Sequence, residues 1–453
     1  MLGVLAIVVI TTFFVSIIKF IFPKQNAFFD FEGDLDEATP RQGRGKKITG
    51  DKTLLGTTGG QKVFADNKGR HFFACGTSGS GKTVAIANFI KSGIDYDYPM
   101  LILDGKGDED IGSIRDIVKR FSGDREVYII NLNNPEASDK YNPFKNTSPT
   151  VIKDMLVNMT VWTEEHYKQN TERYLQKVIS LMVIAEINTS FRTILAHLDK
   201  EKFMALSADL ADKEQISKDE HQSNIDIAEN SEKIIEGAVA RFTNLYESDI
   251  GAIFADDGID ISTALSEKSI ILFILNPLLY PETSPLFGNL ILIDSKKAIS
   301  FLFKNRHPRV FFIFDEINVY ASPTFLDLIN KSRSANVTCI LATQSLSDLD
   351  HVSPEFKEQI IENANNYIVL RQNSAVNAEN WANIIGTRNT MDITYQLREG
   401  DSTGLGSAKR TREYLYHPDY IKSLETGKAI FVSKDNHFNT RVNIENILDE
   451  KQK

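Results

Sequence analysis

Residues 76–83 read Gly76-Thr77-Ser78-Gly79-Ser80-Gly81-Lys82-Thr83, and this octapeptide constrains the fold more than any other part of the chain. Its spacing is G-x-x-x-x-G-K-[ST]. An apolar strand-like run precedes it, His71-Phe72-Phe73-Ala74-Cys75, and a helix-like run follows, Val84-Ala85-Ile86-Ala87-Asn88-Phe89-Ile90. Glycines let successive backbone N–H groups turn inward around phosphate oxygens, and a helix N-terminus adds partial positive charge there. Lys82 is then placed to reach the β- and γ-phosphates of a nucleotide, and the Thr83 hydroxyl to hold Mg²⁺. A Gly/Ser-rich surface turn is the alternative; Lys82 and Thr83 in register, with both flanks correct, argue against it.

Around this unit, apolar runs alternate with helical ones. Strands are expected at Met100–Asp104, Val127–Asn131, Ser269–Leu275, Val310–Phe314, Val337–Ala342, Tyr367–Leu370 and Ala429–Val432. Continuous apolar strands between helices indicate a parallel sheet covered on both faces. From about 146 to 265 the pattern is helical, with Val151, Met155, Val157 and Trp162 in one piece and Tyr174, Val178, Ile179, Met182 and Val183 in another. The expected organisation is therefore α/β: a nucleotide-binding domain in two parts, 53–145 and 266–440, interrupted by an all-α insertion over 146–265, with a charged, frayed tail over 441–453.

The amino terminus has a different character. Residues 2–22 form an apolar run broken by Thr11, Thr12, Ser16 and Lys19. About 20 such residues span a bilayer core. Lys24, Arg41, Arg44, Lys46 and Lys47 follow the run and no Lys or Arg precedes it. The expectation is a membrane anchor over 1–22, carboxyl side in the cytoplasm, joined by a linker over 23–52. A cleavable signal peptide would need a basic start and a small-residue cleavage site. The basic stretch from Arg41 reads equally as a contact with anionic membrane lipid or as a solvated linker.

The 453 residues carry a formal net charge of −10, which excludes a general, surface-wide nucleic-acid binder. Any such contact must be local. Lys409-Arg410-Thr411-Arg412 is one basic cluster, which a solvated loop explains as well. The two cysteines, Cys75 and Cys339, lie in apolar runs and read as buried, reduced thiols with no zinc spacing.

A second chemical signature follows the run Val310–Phe314, which ends in Asp315 and Glu316. Asp315 would hold Mg²⁺ through water, and Glu316 would polarise an attacking water as general base. Gln344, at the end of the next strand, is placed to touch the γ-phosphate and report its loss. Arg333, in Lys331-Ser332-Arg333-Ser334, is a candidate arginine finger toward a neighbouring subunit, and equally a surface arginine beside a carboxylate. Arg371 is the weaker candidate.

With these residues in place, the chain resembles the type IV secretion coupling proteins, the membrane-anchored ATPases of bacterial conjugation. Leu103-Asp104-Gly105-Lys106-Gly107-Asp108 is similar to the family's Asp-x-Lys-Gly-acid signature, and Tyr141-Asn142-Pro143-Phe144 to its Asn-Pro turn before the helical domain. Phe314-Asp315-Glu316, Ser332-Arg333-Ser334 and Thr343-Gln344-Ser345-Leu346 follow in the family's order. The resemblance implies a RecA-like nucleotide-binding domain of the additional-strand, catalytic-glutamate kind with an all-α insertion that recognises cargo. It further implies a homo-hexamer in the bacterial inner membrane that links single-stranded DNA and its relaxase to the inner-membrane components of the secretion channel. By position, Lys82, Thr83, Asp315, Glu316 and Gln344 would form the ATP and Mg²⁺ site, with Arg333 supplied by the adjacent protomer. The family usually has two membrane spans; one apolar segment is present here. Two other functions share these signatures: a double-stranded DNA pump of the chromosome-segregation type, and a docking platform for secreted protein effectors.

Overall fold

The computed structural model describes residues 41–42, 50–68, 71–159, 162, 164–304, 307–398 and 401–448. The expected anchor over 1–22 and nearly all of the 23–52 linker lie outside the described residues. Among the described residues no helix is long and apolar enough to cross a membrane. The chain divides into two compact units.

The larger unit, Gln42–Ala378 with Asp419–Lys453, holds the sheet and most of the helices. After the two-residue strand β1 (Arg41–Gln42) come the hairpin β2 (Lys52–Thr58) and β3 (Gln61–Asp66), then β4 (His71–Cys75), α1 (Lys82–Asp95), β5 (Met100–Asp104), α2 (Ile114–Phe121) and β6 (Val127–Asn131). Six helices follow without a strand: α3 (Pro149–Asn158), α4 (Glu165–Ile184), α5 (Phe191–His197), α6 (Lys200–Asp212), α7 (Lys218–Glu247) and α8 (Ile261–Ser266). The sheet resumes with β7 (Ile270–Ile274), β8 (Val310–Asp315), β9 (Val337–Thr343) and β10 (Ala364–Val369), and closes with β13 (Lys428–Ser433) and β14 (Phe438–Ile444). The helical segment packs within the same unit as the sheet rather than apart from it.

Strand order is β3-β2-β14-β13-β10-β4-β9-β8-β5-β7-β6. From β10 to β6 every pairing is parallel. The rest is antiparallel. Strands β4, β5, β7, β8 and β9 are buried at every position, as expected of parallel strands covered on both faces. In register, Cys75 stands opposite Thr343 and Asp104 opposite Asp315. The carboxyl ends of β4, β9, β8 and β5 therefore finish along one line, where α/β sheets place their ligand crevices.

The turn Tyr141–Phe144 ties both ends of the helical segment to the sheet unit. The Tyr141 hydroxyl donates to Asp294 Oδ2 at 2.7 Å on the helix α9 (Thr283–Lys304). Asn142 Nδ2 donates to the carbonyls of Thr189 at 3.0 Å and Asp256 at 3.2 Å. Its backbone N–H donates to the Ile259 carbonyl at 2.8 Å.

The expected frayed tail is corrected in its first residues. Arg441 to Ile444 complete β14, whose residues Val442 and Ile444 enter the main core together with Ile447. Charge alone suggested fraying, but alternating apolar positions at period two carry a strand whose other face is solvated.

His71 shows how tightly the amino ends of the strands are packed. Its ring accepts the Cys339 N–H on Nδ1 at 3.0 Å, and Nε2 lies 3.1 Å from the Ile329 carbonyl. One ring nitrogen must therefore accept while the other donates, which only the neutral ring does. Burial lowers its pKa to about 4. The unfolded chain binds a proton on this residue near pH 6.5, so stability is complete above that and declines as pH falls from about 6.5 to about 4. The loss from this one group approaches about 3 kcal/mol. Urea unfolding at pH 7 and pH 4.5 is expected to show it, and His71→Asn should flatten the dependence; an unchanged slope in that variant would remove His71 as its source. Both cysteines are buried and neither forms a disulfide.

The smaller unit includes Glu379–Pro418. Its long hairpin of β11 (Thr387–Arg398) and β12 (Asp401–Tyr414) was not among the expected strands. Cross-strand partners share a face. Arg388 pairs with Glu413 and Asp392 with Lys409 on one face, while Arg410 and Arg412 stand opposite Met391 and Asn389 on the other. The basic cluster at 409–412 thus lies on a strand, split over two faces.

Candidate nucleotide site

The loop 76–83 is shaped by its glycines where shape is required. Gly79 and Gly81 take φ of 71° and 110°, the left-handed region that side chains disfavour. A Cβ on Gly76 would come within 2.5 Å of Leu370 and 2.6 Å of the Ser80 hydroxyl. Neighbouring strand ends brace the loop. The Gly76 N–H donates to Thr343 O at 3.3 Å, the Thr77 N–H to Arg371 O at 3.0 Å, and Gly427 N–H to Ser80 O at 3.0 Å. Thr426 Oγ1 donates to Gly79 O at 3.1 Å. Helix α1 then starts at Lys82 with no acidic residue in its first turn, so its unpaired amides and positive end face the loop.

Lys82 is the centre of the site. Its Nζ donates to Gly76 O at 2.8 Å and lies 3.4 Å from Glu316 Oε1. Gln344 Nε2 donates to the same Glu316 oxygen at 3.3 Å. The loop after β4, the acids after β8 and the amide after β9 thereby meet in one place. Strand β9 sits between β4 and β8 and makes the meeting possible.

Glu316 holds an unusual backbone, φ 50° and ψ 56°. A side chain in that region costs about 1–3 kcal/mol and persists only where its surroundings enforce it. Here they do: Tyr320 Oη donates to Asp315 O at 2.8 Å and the Gly105 N–H to the same carbonyl at 3.1 Å. The turn directs the Glu316 carboxylate to Lys82. Asp315 is buried, and burial together with Asp104 and Glu316 pushes its pKa up to about 8. Burial also raises Asp104, to about 6.

Lys82, Thr83, Asp315, Glu316 and Gln344 line one cavity of about 290 Å³, with Thr77, Ser78, Gly79 and Gly81 of the loop. Lys106 and Thr426 also line it, and neither was assigned a part from sequence. Lys106 lay in a motif recognised only by resemblance; Thr426 carried no signal, since only the fold brings it to the loop.

Arg333 is not brought to this cavity. It is exposed just before β9 begins, at the amino ends of the strands, roughly 20 Å of strand from the carboxyl ends where the site lies. It cannot serve its own chain's site. Arg371 lies beside the loop, and its Nε is buried without a hydrogen-bond partner. Thr77 Oγ1 is likewise buried and unpartnered.

Residues 59–445 match the family model of the type IV secretion-system coupling protein DNA-binding domain. The chain belongs to this family. An uncharacterized protein of Mycoplasma pneumoniae is 33% identical over 108 residues, 24% of this chain and 69% of that one. The plasmid coupling protein TrwB in complex with ADP and Mg²⁺ is similar in fold, with a TM-score of 0.60 at 16% identity over 89% of this chain and 97% of that one. VirB4 of Thermoanaerobacter pseudethanolicus gives a TM-score of 0.55 at 12% identity, covering 88% and 98%. At such identities the likeness to this coupling-family chain is one of fold.

Proposed function

We propose that this coupling-family protein is an ATP hydrolase whose cycle recruits DNA with its relaxase and moves it toward a type IV secretion channel. The observation that carries the reading is the convergence of Lys82, Asp315, Glu316 and Gln344 on the cavity of the phosphate-binding loop. The buried, unpartnered Thr77 Oγ1 is a donor without an acceptor, which a nucleotide phosphate would supply. Among the described residues no group of three or more His, Cys, Asp or Glu could hold a metal alone. Mg²⁺ would take the Thr83 hydroxyl from the chain, be held by Asp315 through water, and take its other ligands from phosphate and water, its usual manner of binding. TrwB, of similar fold, has been seen with ADP and Mg²⁺ and with a non-hydrolysable ATP analogue.

In this reading Lys82 leaves Gly76 O for the terminal phosphates. The Glu316 carboxylate, released from that ion pair, takes the proton of the attacking water. Gln344, hydrogen-bonded to Glu316, passes the change to β9. Arg333, unable to reach its own site, completes the site of a neighbouring copy in a hexamer at the inner membrane, and an arginine supplied in this way contributes about 10³–10⁵ in rate.

One experiment tests the whole. ATP turnover is measured across protein concentration and with single-stranded DNA, duplex DNA or cargo protein added. Rising specific activity and stimulation by single-stranded DNA are expected. Flat activity with concentration overturns the shared site. Stimulation by duplex alone favours a double-stranded DNA pump, and stimulation by protein alone a docking platform for effectors.

A further inference from the structure

We infer that Lys106 is a second cation for the terminal phosphate, and the residue by which this site distinguishes a nucleoside triphosphate from a diphosphate. The inference rests on the nucleotide reading above.

Each residue of the segment Asp104–Asp108 is shaped to put Lys106 where it is. Asp104 ends β5, and its Oδ1 accepts the Lys106 backbone N–H at 2.8 Å. Gly105 passes so close to the acidic turn that a Cβ would meet Asp315 O at 2.9 Å and Glu316 O at 3.0 Å. Gly107 takes φ +76°, and a Cβ there would meet Leu275 O at 2.4 Å. Neither position accepts a side chain, and Lys106 between them lines the cavity.

Lys106 lines the cavity of the phosphate-binding loop and also an adjoining one of about 150 Å³ shared with Thr83, Asp104, Asp108 and Asp315. Strand order places the two lysines. Lys82 follows β4 and Lys106 follows β5, on either side of the acids that follow β8. A phosphate set above Asp315 and Glu316 is bracketed by both.

Charge gives the reason for a second cation. Four acidic side chains, Asp104, Asp108, Asp315 and Glu316, lie around two lysines. A triphosphate adds more negative charge than a diphosphate, and adds it at the end nearest the acids. In this structure the Lys106 ammonium is paired with Asp108, and both side chains are about half exposed, 48% and 46%. An exposed pair of this kind is worth about 0–1 kcal/mol. A phosphate oxygen held in a less hydrated cavity competes with it readily.

The alternative is that Lys106 only neutralises the acids, and affinity for the two nucleotides separates the cases. The full chain, Lys106→Met and Lys106→Arg are titrated with ADP and with a non-hydrolysable ATP analogue, Mg²⁺ present, with melting temperatures recorded. Lys106→Met is expected to lose about tenfold or more in affinity for the triphosphate while keeping that for ADP. Lys106→Arg should recover most of the loss. Equal weakening for both nucleotides, or none for either, overturns the inference. Lys82→Ala is the control that weakens both. If the unaltered chain binds neither nucleotide, the nucleotide reading itself fails and this inference with it, whereas normal binding by the unaltered chain with an indifferent Lys106→Met removes this inference alone.

Discussion

Replacing Glu316 by glutamine is expected to lower ATP turnover by about 10²–10⁴ while nucleotide binding stays within a few-fold. The side chain keeps its length, and its Oε1 can still accept from Gln344 Nε2. What is lost is the charge that can take a proton from water. The neighbouring Asp315 cannot substitute. It is buried, and its backbone carbonyl is fixed by Tyr320 and Gly105. Single-turnover hydrolysis set against equilibrium binding of the same variant measures the two effects apart. Normal hydrolysis would show that another group is the base.

Lys82→Ala is expected to lower turnover by about 10³ or more and to weaken ATP and ADP together. The wild-type ammonium is almost enclosed, its side chain 9% exposed and that of Glu316 8%. Removing it leaves the Glu316 carboxylate with no buried cation beside it, so that charge repels incoming phosphate. A buried partner left alone also costs stability, about 3–5 kcal/mol. The melting temperature should therefore fall in Lys82→Ala at neutral pH. Undiminished nucleotide affinity in a folded variant would separate the loop from nucleotide altogether.

Much of the site is legible in sequence because its parts are local. A loop that wraps phosphate needs glycines at fixed offsets from a lysine, and those offsets survive in the linear order. The acid pair is legible for the same reason, an apolar run that ends in charge. The parallel sheet is legible because strands covered on both faces are apolar throughout, as β5, β7, β8 and β9 are.

Other features are written in relations between distant residues. In the hairpin of β11 and β12, β11 does alternate, with Met391, Ile393, Tyr395 and Leu397 at period two, a signal absent from the strands expected above, whereas β12 is rich in Ser, Thr, Gly and charged residues and carries no such pattern. The end of β14 was hidden in the opposite way, since its charged neighbours mask Val442 and Ile444, which the core takes up. Arg333 has the composition of a finger and the location of a residue far from its own chain's site.

The sequence by itself determined which chemical groups this coupling-family chain carries and the local turns that hold them, because loop and strand-end geometry depend on residues a few positions apart. The tertiary structure alone decided that β9 separates β4 from β8, that Gln344 reaches Glu316, that Thr426 braces the loop, and that Lys106 faces the same cavity as Lys82. Strand order in a sheet is set by which apolar faces pack together over the whole unit, and that choice leaves no mark at any single position.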